Sequence, residues 1–292
     1  MAEASKHKLM LTKCCIIGLG LMGGSMGMAL GKYGVVQERW GFDQNHQTME
    51  EAKFRGAVDK TGPLSDALEG AELVILATPV GAIPQILETI APILDSEALV
   101  TDMGSSKRII AEAMQSRLPP GRNCVGGHPM AGSELSGIGS AKAEILQDAF
   151  YFLTPIRKAP QKALAFMEEI VRSIGAYPLR IDALEHDKIM APLSHLPQLV
   201  SVVLVKVLES YSSEKNKLGT LAGGGFKDTT RIAAGDPHFW RDIFFSNKQN
   251  VKESLRLFCN EVELFLDCLE QGDEKGIYEF LNGAAFFRRS LK

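Results

Sequence analysis

Over the first 180 residues, short apolar runs alternate with stretches of helical period; beyond that the alternation stops. Cys14 to Ile17, Arg39 to Asp43, Glu72 to Thr78, Ala98 to Asp102, Asn123 to Gly126, Phe150 to Thr154 and Tyr177 to Ile181 have the length and apolar content of strands. Glu72 to Thr78 is almost continuously apolar, as a parallel strand covered on both faces requires. Helical patterns separate these runs. Met22, Met26, Ala29 and Leu30 share one face. Asn45 to Arg55 ends at Gly56, Ile83 to Leu94 is confined by Pro84 and Pro92, and Gln161 to Ser173 follows later. Ser105 or Ser106 can cap a further helix that runs to Arg117 and is closed by Pro119-Pro120-Gly121. Strands alternating with helices predict an α/β Rossmann-type, doubly wound parallel sheet.

From Asp182 onward almost no strand signal remains. Leu184 to Glu209, Phe239 to Glu270 and Asp273 to Arg289 read as helices, the first kinked or delayed by Pro192 and Pro197. The expected division is a dinucleotide-binding domain over 1–182, with 1–11 as a disordered lead-in, and an all-helical substrate and dimerisation domain over 183–292. The most apolar stretch, Leu199 to Leu208, has half the ~20 residues that a bilayer-spanning helix needs and reads as a buried core helix. Long apolar helices in so small a domain favour a homodimer.

The first strand leads into Gly18-Leu19-Gly20-Leu21-Met22-Gly23, the G-x-G-x-x-G spacing between a strand and a helix. Gly18 makes the tight turn, Gly20 lets the backbone approach a pyrophosphate, and Gly23 lets the helix pack on the strand. The pyrophosphate would sit on the free N–H groups at the helix start. Asp43 closes the second strand, 20 residues after Gly23, where a carboxylate accepts from the ribose 2′-OH of NAD and repels the 2′-phosphate of NADP. NAD is therefore the expected cofactor, with Thr78 and Pro79 at the end of the third strand also beside it.

Composition excludes more than it assigns. A net charge of -3 over 292 residues implies neither nucleic acid nor membrane as partner. The five cysteines have neither metal-ligand spacing nor a disulfide framework, so no metal is expected and a reducing, cytoplasmic location is. Met1 to Leu11 lacks the apolar core of a signal peptide.

In an open α/β sheet, ligands bind beyond the carboxyl ends of the strands. The fourth strand ends in Asp102-Met103-Gly104-Ser105-Ser106-Lys107, and the fifth in Gly126-Gly127-His128-Pro129. His128 is thus placed near the cofactor among glycines that let a ligand approach, and a histidine can take a proton near neutral pH. The helical half adds His195, beside Pro197, and Arg231, which follows Gly223-Gly224-Gly225. A guanidinium binds a carboxylate with two parallel hydrogen bonds. The bland alternative is that Arg231 and Asp228 form a surface ion pair at i,i+3 spacing.

The motifs GLGLMGGSMGMAL, TDMGSSK, GGHPMAGSELSG, SHLP and GGGFKDTTRIAAGDPHFWRDIF, in this order from Lys13 to about Arg289, resemble the prephenate and arogenate dehydrogenases of tyrosine biosynthesis. The resemblance implies an NAD-dependent oxidative decarboxylation of prephenate to 4-hydroxyphenylpyruvate and CO2; a cytoplasmic homodimer is expected, with no regulatory domain appended after the helical half. It implies that His128 is the catalytic base at the substrate C4 hydroxyl. Ser105, which follows Gly104 directly, bonds the same hydroxyl and orients the nicotinamide; the family often has an apolar residue in place of Ser106. Arg231 grips a substrate carboxylate, His195 holds the far end of the substrate, and Glu134 and Asp228 pair with the arginine and gate entry. The alternatives are an arogenate dehydrogenase, a β-hydroxyacid dehydrogenase, and a non-catalytic NAD(H)-sensing dimer. The β-hydroxyacid class relies on a lysine where this chain offers His195 and Arg231. The sensor has no need of His128, Ser105 and Arg231 together.

Overall fold

The computed structural model describes residues 10–132, 135–211 and 218–291. The chain divides into two compact units, Met1–Asn247 and Lys248–Lys292.

The first unit is built on a sheet of eight strands in the order β3-β2-β1-β4-β5-β6-β7-β8. These are β1 (Leu11–Ile17), β2 (Val36–Phe42), β3 (Lys60–Thr61), β4 (Leu73–Leu76), β5 (Leu99–Asp102), β6 (Cys124–Pro129), β7 (Phe150–Pro155) and β8 (Tyr177–Arg180). The helices are α1 (Leu21–Lys32), α2 (His46–Phe54), α3 (Leu64–Leu68), α4 (Ile83–Ile90), α5 (Arg108–Arg117) and α6 (Gln161–Ser173). The order 3-2-1-4-5-6 is that of a dinucleotide-binding sheet, and its strand order reverses direction between β1 and β4.

The period of two in β1 divides the core. Cys14 and Ile16 face one apolar cluster with Met26 and Leu30, while Cys15 and Ile17 face another with Ile83, Leu87 and Ile110. All four residues of β4 are buried, as its unbroken apolar run requires. Each such leucine or isoleucine contributes about 1.5–3 kcal/mol.

Several expectations need correction. Leu11 belongs to β1, not to a lead-in. β3 and α3 are too short to have left a periodic signal. The sheet is not wholly parallel, because β7 runs antiparallel to β6. A parallel return needs a crossover, usually helical. The connection from Pro129 to Phe150 carries Gly132, Gly137 and Gly139 and holds only short 3-10 turns, Ile138–Ser140 and Ala143–Leu146, among its described residues. The chain therefore turns back. No serine of its own caps α5. Asp187 does so from far along the chain, accepting the N–H groups of Lys107 at 2.6 Å and Arg108 at 3.0 Å.

The helical part of the first unit is α7 (Ala183–Met190), a π-helical turn at Ala191–His195, α8 (Leu196–Tyr211), α9 (Gly224–Thr230), a 3-10 turn at Arg231–Ala234, and α10 (Pro237–Ser246). Pro192 lies in the π-helical turn and Pro197 just after it in α8, and their missing N–H groups interrupt the α-helical ladder. α8 is not a buried core helix: only Gln198 and Ser201 are buried along it, and Val203, Leu204, Val205 and Val207 are exposed. Continuous helix from Ala183 to Tyr211, 29 residues long, holds an 18-residue window of mean hydropathy 1.5 and is long and apolar enough to cross a bilayer by those measures. α7 packs on the sheet through His186, which meets His128 on β6 and Phe152 on β7, and the compact unit runs on to Asn247.

The second unit is a pair of helices, α11 (Lys248–Gln271) and α12 (Glu274–Ser290). Gly272, at φ +65°, makes the turn, and Asp273 caps α12 through the Gly276 N–H. Phe265 packs on Phe280 with ring centroids 5.4 Å apart. The expected helix from Phe239 to Glu270 is therefore two helices, broken at Asn247.

Candidate active site at the carboxyl ends of the strands

The glycine-rich turn has the geometry its spacing predicts. Gly18 sits at φ +93°, and a Cβ there would meet the Ala77 carbonyl oxygen at 2.7 Å. A Cβ on Gly23 would lie 1.9 Å from the Gly18 oxygen, so helix and turn touch through bare backbone. Above Gly20 there is open space: nothing lies within 4 Å of a notional Cβ. Gly20 is also the N-cap of α1, so the free N–H groups of that helix open into the same space. Asp43 reaches back to the turn. Its Oδ2 accepts the Leu19 N–H at 2.9 Å and its Oδ1 the Asn45 N–H at 2.9 Å. Thr78 packs against Gly18, and its buried Oγ1 has no hydrogen-bond partner. Pro79 beside it is exposed. An open backbone cradle, a carboxylate at the end of β2 and an unsatisfied hydroxyl fit a dinucleotide.

Two strands further along the sheet lies a cluster of buried titratable groups. Asp102 ends β5 fully buried and forms an ion pair with Lys107, which is also fully buried. Its oxygens take the N–H groups of Gly104 at 2.7 Å and Gly127 at 2.9 Å, and Lys107 donates to the Gly127 carbonyl at 2.6 Å. A Cβ on Gly127 would meet the Asp102 carbonyl oxygen at 2.4 Å. Gly127 thus serves this packing rather than the approach of a ligand, which corrects the sequence-based reading. Burial pulls the Lys107 ammonium below its usual range while Asp102 pushes it back up.

His128 follows on β6 and is half-buried. Its Nδ1 lies 2.8 Å from His186 Nε2, and His186 Nδ1 lies 2.8 Å from Asp187 Oδ1. Burial first, then the neighbouring His186, Lys107 and His195, hold His128 well below the ordinary value of 6.5. It is therefore a neutral acceptor at neutral pH.

His195 is buried, which pulls it down to about 4. The Asn247 amide donates to the Asp187 carbonyl at 2.6 Å and contacts His195 Nδ1 at 3.2 Å, so Nδ1 accepts and Nε2 carries the proton. That Nε2 is buried without a well-formed hydrogen bond, although the Ser105 backbone is close enough to favour the charged ring weakly.

Ser105 is half-buried. Ser106 is fully buried and donates to the Ser246 hydroxyl at 2.8 Å. Asp228 on α9 and Arg231 at the start of the next turn are both exposed. Glu134 lies outside the described residues. Sequence reading missed His186, Asp187 and Asn247. It also treated Asp102 and Lys107 only as members of a strand-end motif.

Fold and site together define a nicotinamide-dinucleotide dehydrogenase with a Rossmann-type half and a helical half. The family model for the prephenate dehydrogenase nucleotide-binding domain matches residues 26–178, and that for the prephenate dehydrogenase dimerization domain matches residues 182–283. The prephenate dehydrogenase of Bacillus subtilis is 31% identical over 278 residues, covering 94% of this chain and 75% of that protein. The chain belongs to the prephenate dehydrogenase family. Among solved structures, Aquifex aeolicus prephenate dehydrogenase in complex with hydroxyphenyl propionate and NAD+ superposes with a TM-score of 0.90 at 31% identity, covering 97% of this chain and 99% of that one. Synechocystis arogenate dehydrogenase does so with a TM-score of 0.79 at 27% identity, over 96% and 100%.

Proposed function

We propose that this chain is an NAD-dependent prephenate dehydrogenase, converting prephenate to 4-hydroxyphenylpyruvate with release of CO2. The observation that carries the reading is His128: a half-buried residue with a neutral imidazole at the carboxyl end of β6, on the side of the sheet where the glycine-rich turn opens. An oxidation at a carbon bearing a hydroxyl needs an acceptor for the hydroxyl proton, and His128 supplies it. Gly18 to Gly23, Asp43, Thr78 and Pro79 would hold the dinucleotide, whose chemistry is that of a hydride acceptor. Ser105 is the serine left to bond the same hydroxyl. His195 presents an N–H donor to the far end of the substrate. Arg231 binds a carboxylate, and Asp228 and Glu134 are the acidic residues that family resemblance assigns to it.

The chain acts as a homodimer in the cytoplasm. The exposed apolar face of α8 supports the dimer, as do Leu257, Leu264, Tyr278, Phe286 and Phe287, exposed on the second unit. All but Phe286 and Phe287 lie within the matched dimerization domain. The helix from Ala183 to Tyr211 is a docked element of the fold, since His186, Asp187 and His195 along it bond to other parts of the first unit. The described cysteines are all free, consistent with a reducing compartment.

The decisive experiment measures reduction of NAD+ and NADP+ with prephenate and with arogenate, on wild type and His128→Asn. The expected result is NADH formation with prephenate and a loss of about 10² in kcat in the variant. Turnover with arogenate alone would move the assignment to arogenate dehydrogenase. Light scattering is expected to give twice the chain mass of 31.8 kDa.

A further inference from the structure

We propose that His186, held by Asp187, is a positioning residue that fixes the tautomer of His128 and so makes Nε2 the nitrogen that takes the substrate proton. The inference rests on the reading of His128 as the base.

The proton positions follow outward from Asp187. Its Oδ1 accepts the Lys107 N–H at 2.6 Å and its Oδ2 the Arg108 N–H at 3.0 Å, and Oδ1 also faces His186 Nδ1 at 2.8 Å. A carboxylate turned toward backbone donors on both oxygens is the acceptor in its third contact as well, so His186 Nδ1 carries the hydrogen. A neutral imidazole has one N–H, which leaves His186 Nε2 bare. That bare nitrogen faces His128 Nδ1 at 2.8 Å. His128 must then carry its hydrogen on Nδ1, and its Nε2 is left with a free lone pair. When Nε2 takes a proton, the imidazolium keeps its donation to His186, and no proton needs to move along the pair.

The surroundings allow His186 one orientation. Its ring is wholly buried, edge-on to Phe152 at 5.4 Å and 87° and to His128 at 5.0 Å and 68°. Asp187 anchors the ring and caps α5 at once, so the direction of the base is tied to the same strand-end loop that carries Ser105. Without this pair the two neutral tautomers of His128 would compete. The form with hydrogen on Nε2 cannot accept from the substrate.

The test uses the full-length enzyme as wild type, His128→Asn, His186→Phe and His186→Gln. For each, kcat, KM for prephenate, Kd for NAD+ and melting temperature are measured. The tautomer of His128 is read from long-range proton–nitrogen spectra of 15N-histidine-labelled protein. In wild type the spectrum is expected to place the His128 hydrogen on Nδ1. His186→Phe keeps the ring shape and removes the acceptor. It should lower kcat about ten-fold or more, with KM and Kd within about two-fold, and mix the His128 tautomers. His186→Gln offers an oxygen where Nε2 stood and should recover part of the loss. A wild-type spectrum with the hydrogen on Nε2, or wild-type kcat in His186→Phe while His128→Asn is inactive, overturns the inference and leaves the base assignment standing. Full turnover in His128→Asn strikes the base assignment itself. Should His186→Phe fail to fold, the wild-type spectrum and the Gln variant still decide.

Discussion

The hydroxyl of Ser106 donates to the hydroxyl of Ser246 at 2.8 Å, across 140 positions of sequence, and both side chains are buried. Ser246 passes its own hydrogen to the Ile243 carbonyl at 2.9 Å, so the pair is satisfied internally. The neighbouring Ser105 remains half-buried. Two adjacent serines thus separate into one that ties α10 to the β5 loop and one that stays half-buried.

The separation predicts opposite phenotypes. Ser106→Ala should cost about 1 kcal/mol of stability, the net worth of a buried hydrogen bond, with kinetics close to wild type. Ser105→Ala should leave the melting temperature nearly unchanged and lower kcat by about ten-fold, if its hydroxyl bonds the reacting oxygen. Paired melting curves and steady-state kinetics distinguish them, and a kinetic defect confined to Ser106→Ala would reverse the assignment.

Stability should depend on pH through the histidines. His128 and His186 are held below 6.5 and His195 at about 4, each chiefly by burial. In the unfolded chain each titrates near 6.5, so below that pH the unfolded state binds more protons than the folded one. Their contribution is complete above about pH 6.5 and is lost as pH falls through the folded values. Each adds a slope approaching about 1.4 kcal/mol per pH unit. Urea unfolding at steps from pH 8 to 4.5 is expected to be flat above 7 and to weaken steadily below 6.5. Constant stability across that lower range would mean that these rings are already charged in the folded protein.

Asp43 has a structural duty besides the selectivity proposed for it, because its carboxylate accepts the N–H groups of Leu19 and Asn45 at 2.9 Å each. Asp43→Ser should therefore do two things. The preference for NAD+ over NADP+ in kcat/KM should narrow, since the charge that repels a 2′-phosphate is gone. KM for NAD+ itself should rise, since the glycine-rich turn loses its tether. Gln44 and Asn45 follow with no arginine to receive a phosphate. Equal use of both cofactors by wild type would be incompatible with this account.

The residues legible in the sequence are those whose neighbours in the chain determine their role. Gly18, Gly20 and Gly23 depend on local backbone geometry, and His128 is placed by the end of its own strand. His186 and Asp187 were hidden because Leu-Glu-His-Asp-Lys reads as a charged first helical turn. The available signal was that both lie on the buried face of α7 with Met190, where a polar pair needs a buried partner. Asn247 was hidden inside an apolar helical pattern. Apolar composition also misplaced α8, since a run of valines and leucines does not reveal whether its own chain or a second copy covers it. The antiparallel β7 could have been found from the glycine-rich, helix-poor connection before it.

Arg231 is expected to bind a carboxylate of the substrate. Prephenate is a dianion, so its site needs fixed positive charge, and the cations of the strand-end loop do not meet the need. Lys107 is fully buried and committed to Asp102 and the Gly127 carbonyl, and exposed Arg108 lies 3.7 Å from Glu112 on its own helix. The helical region supplies Arg231 at the start of an exposed turn, where a guanidinium can meet a carboxylate with two parallel hydrogen bonds. Arg231→Ala should raise KM for prephenate by about ten-fold or more, the scale of losing one charge-assisted fork, with Kd for NAD+ unchanged. Arg231→Lys should recover only part, since it keeps the charge and not the fork. The rival account, a surface ion pair with Asp228, predicts normal kinetics and a stability change under about 1 kcal/mol. Asp228→Ala separates them further: the rival expects it to match Arg231→Ala in every measurement, whereas carboxylate binding expects the arginine variant alone to lose its grip on prephenate while still binding NAD+. An unchanged KM for prephenate in Arg231→Ala would retire the assignment.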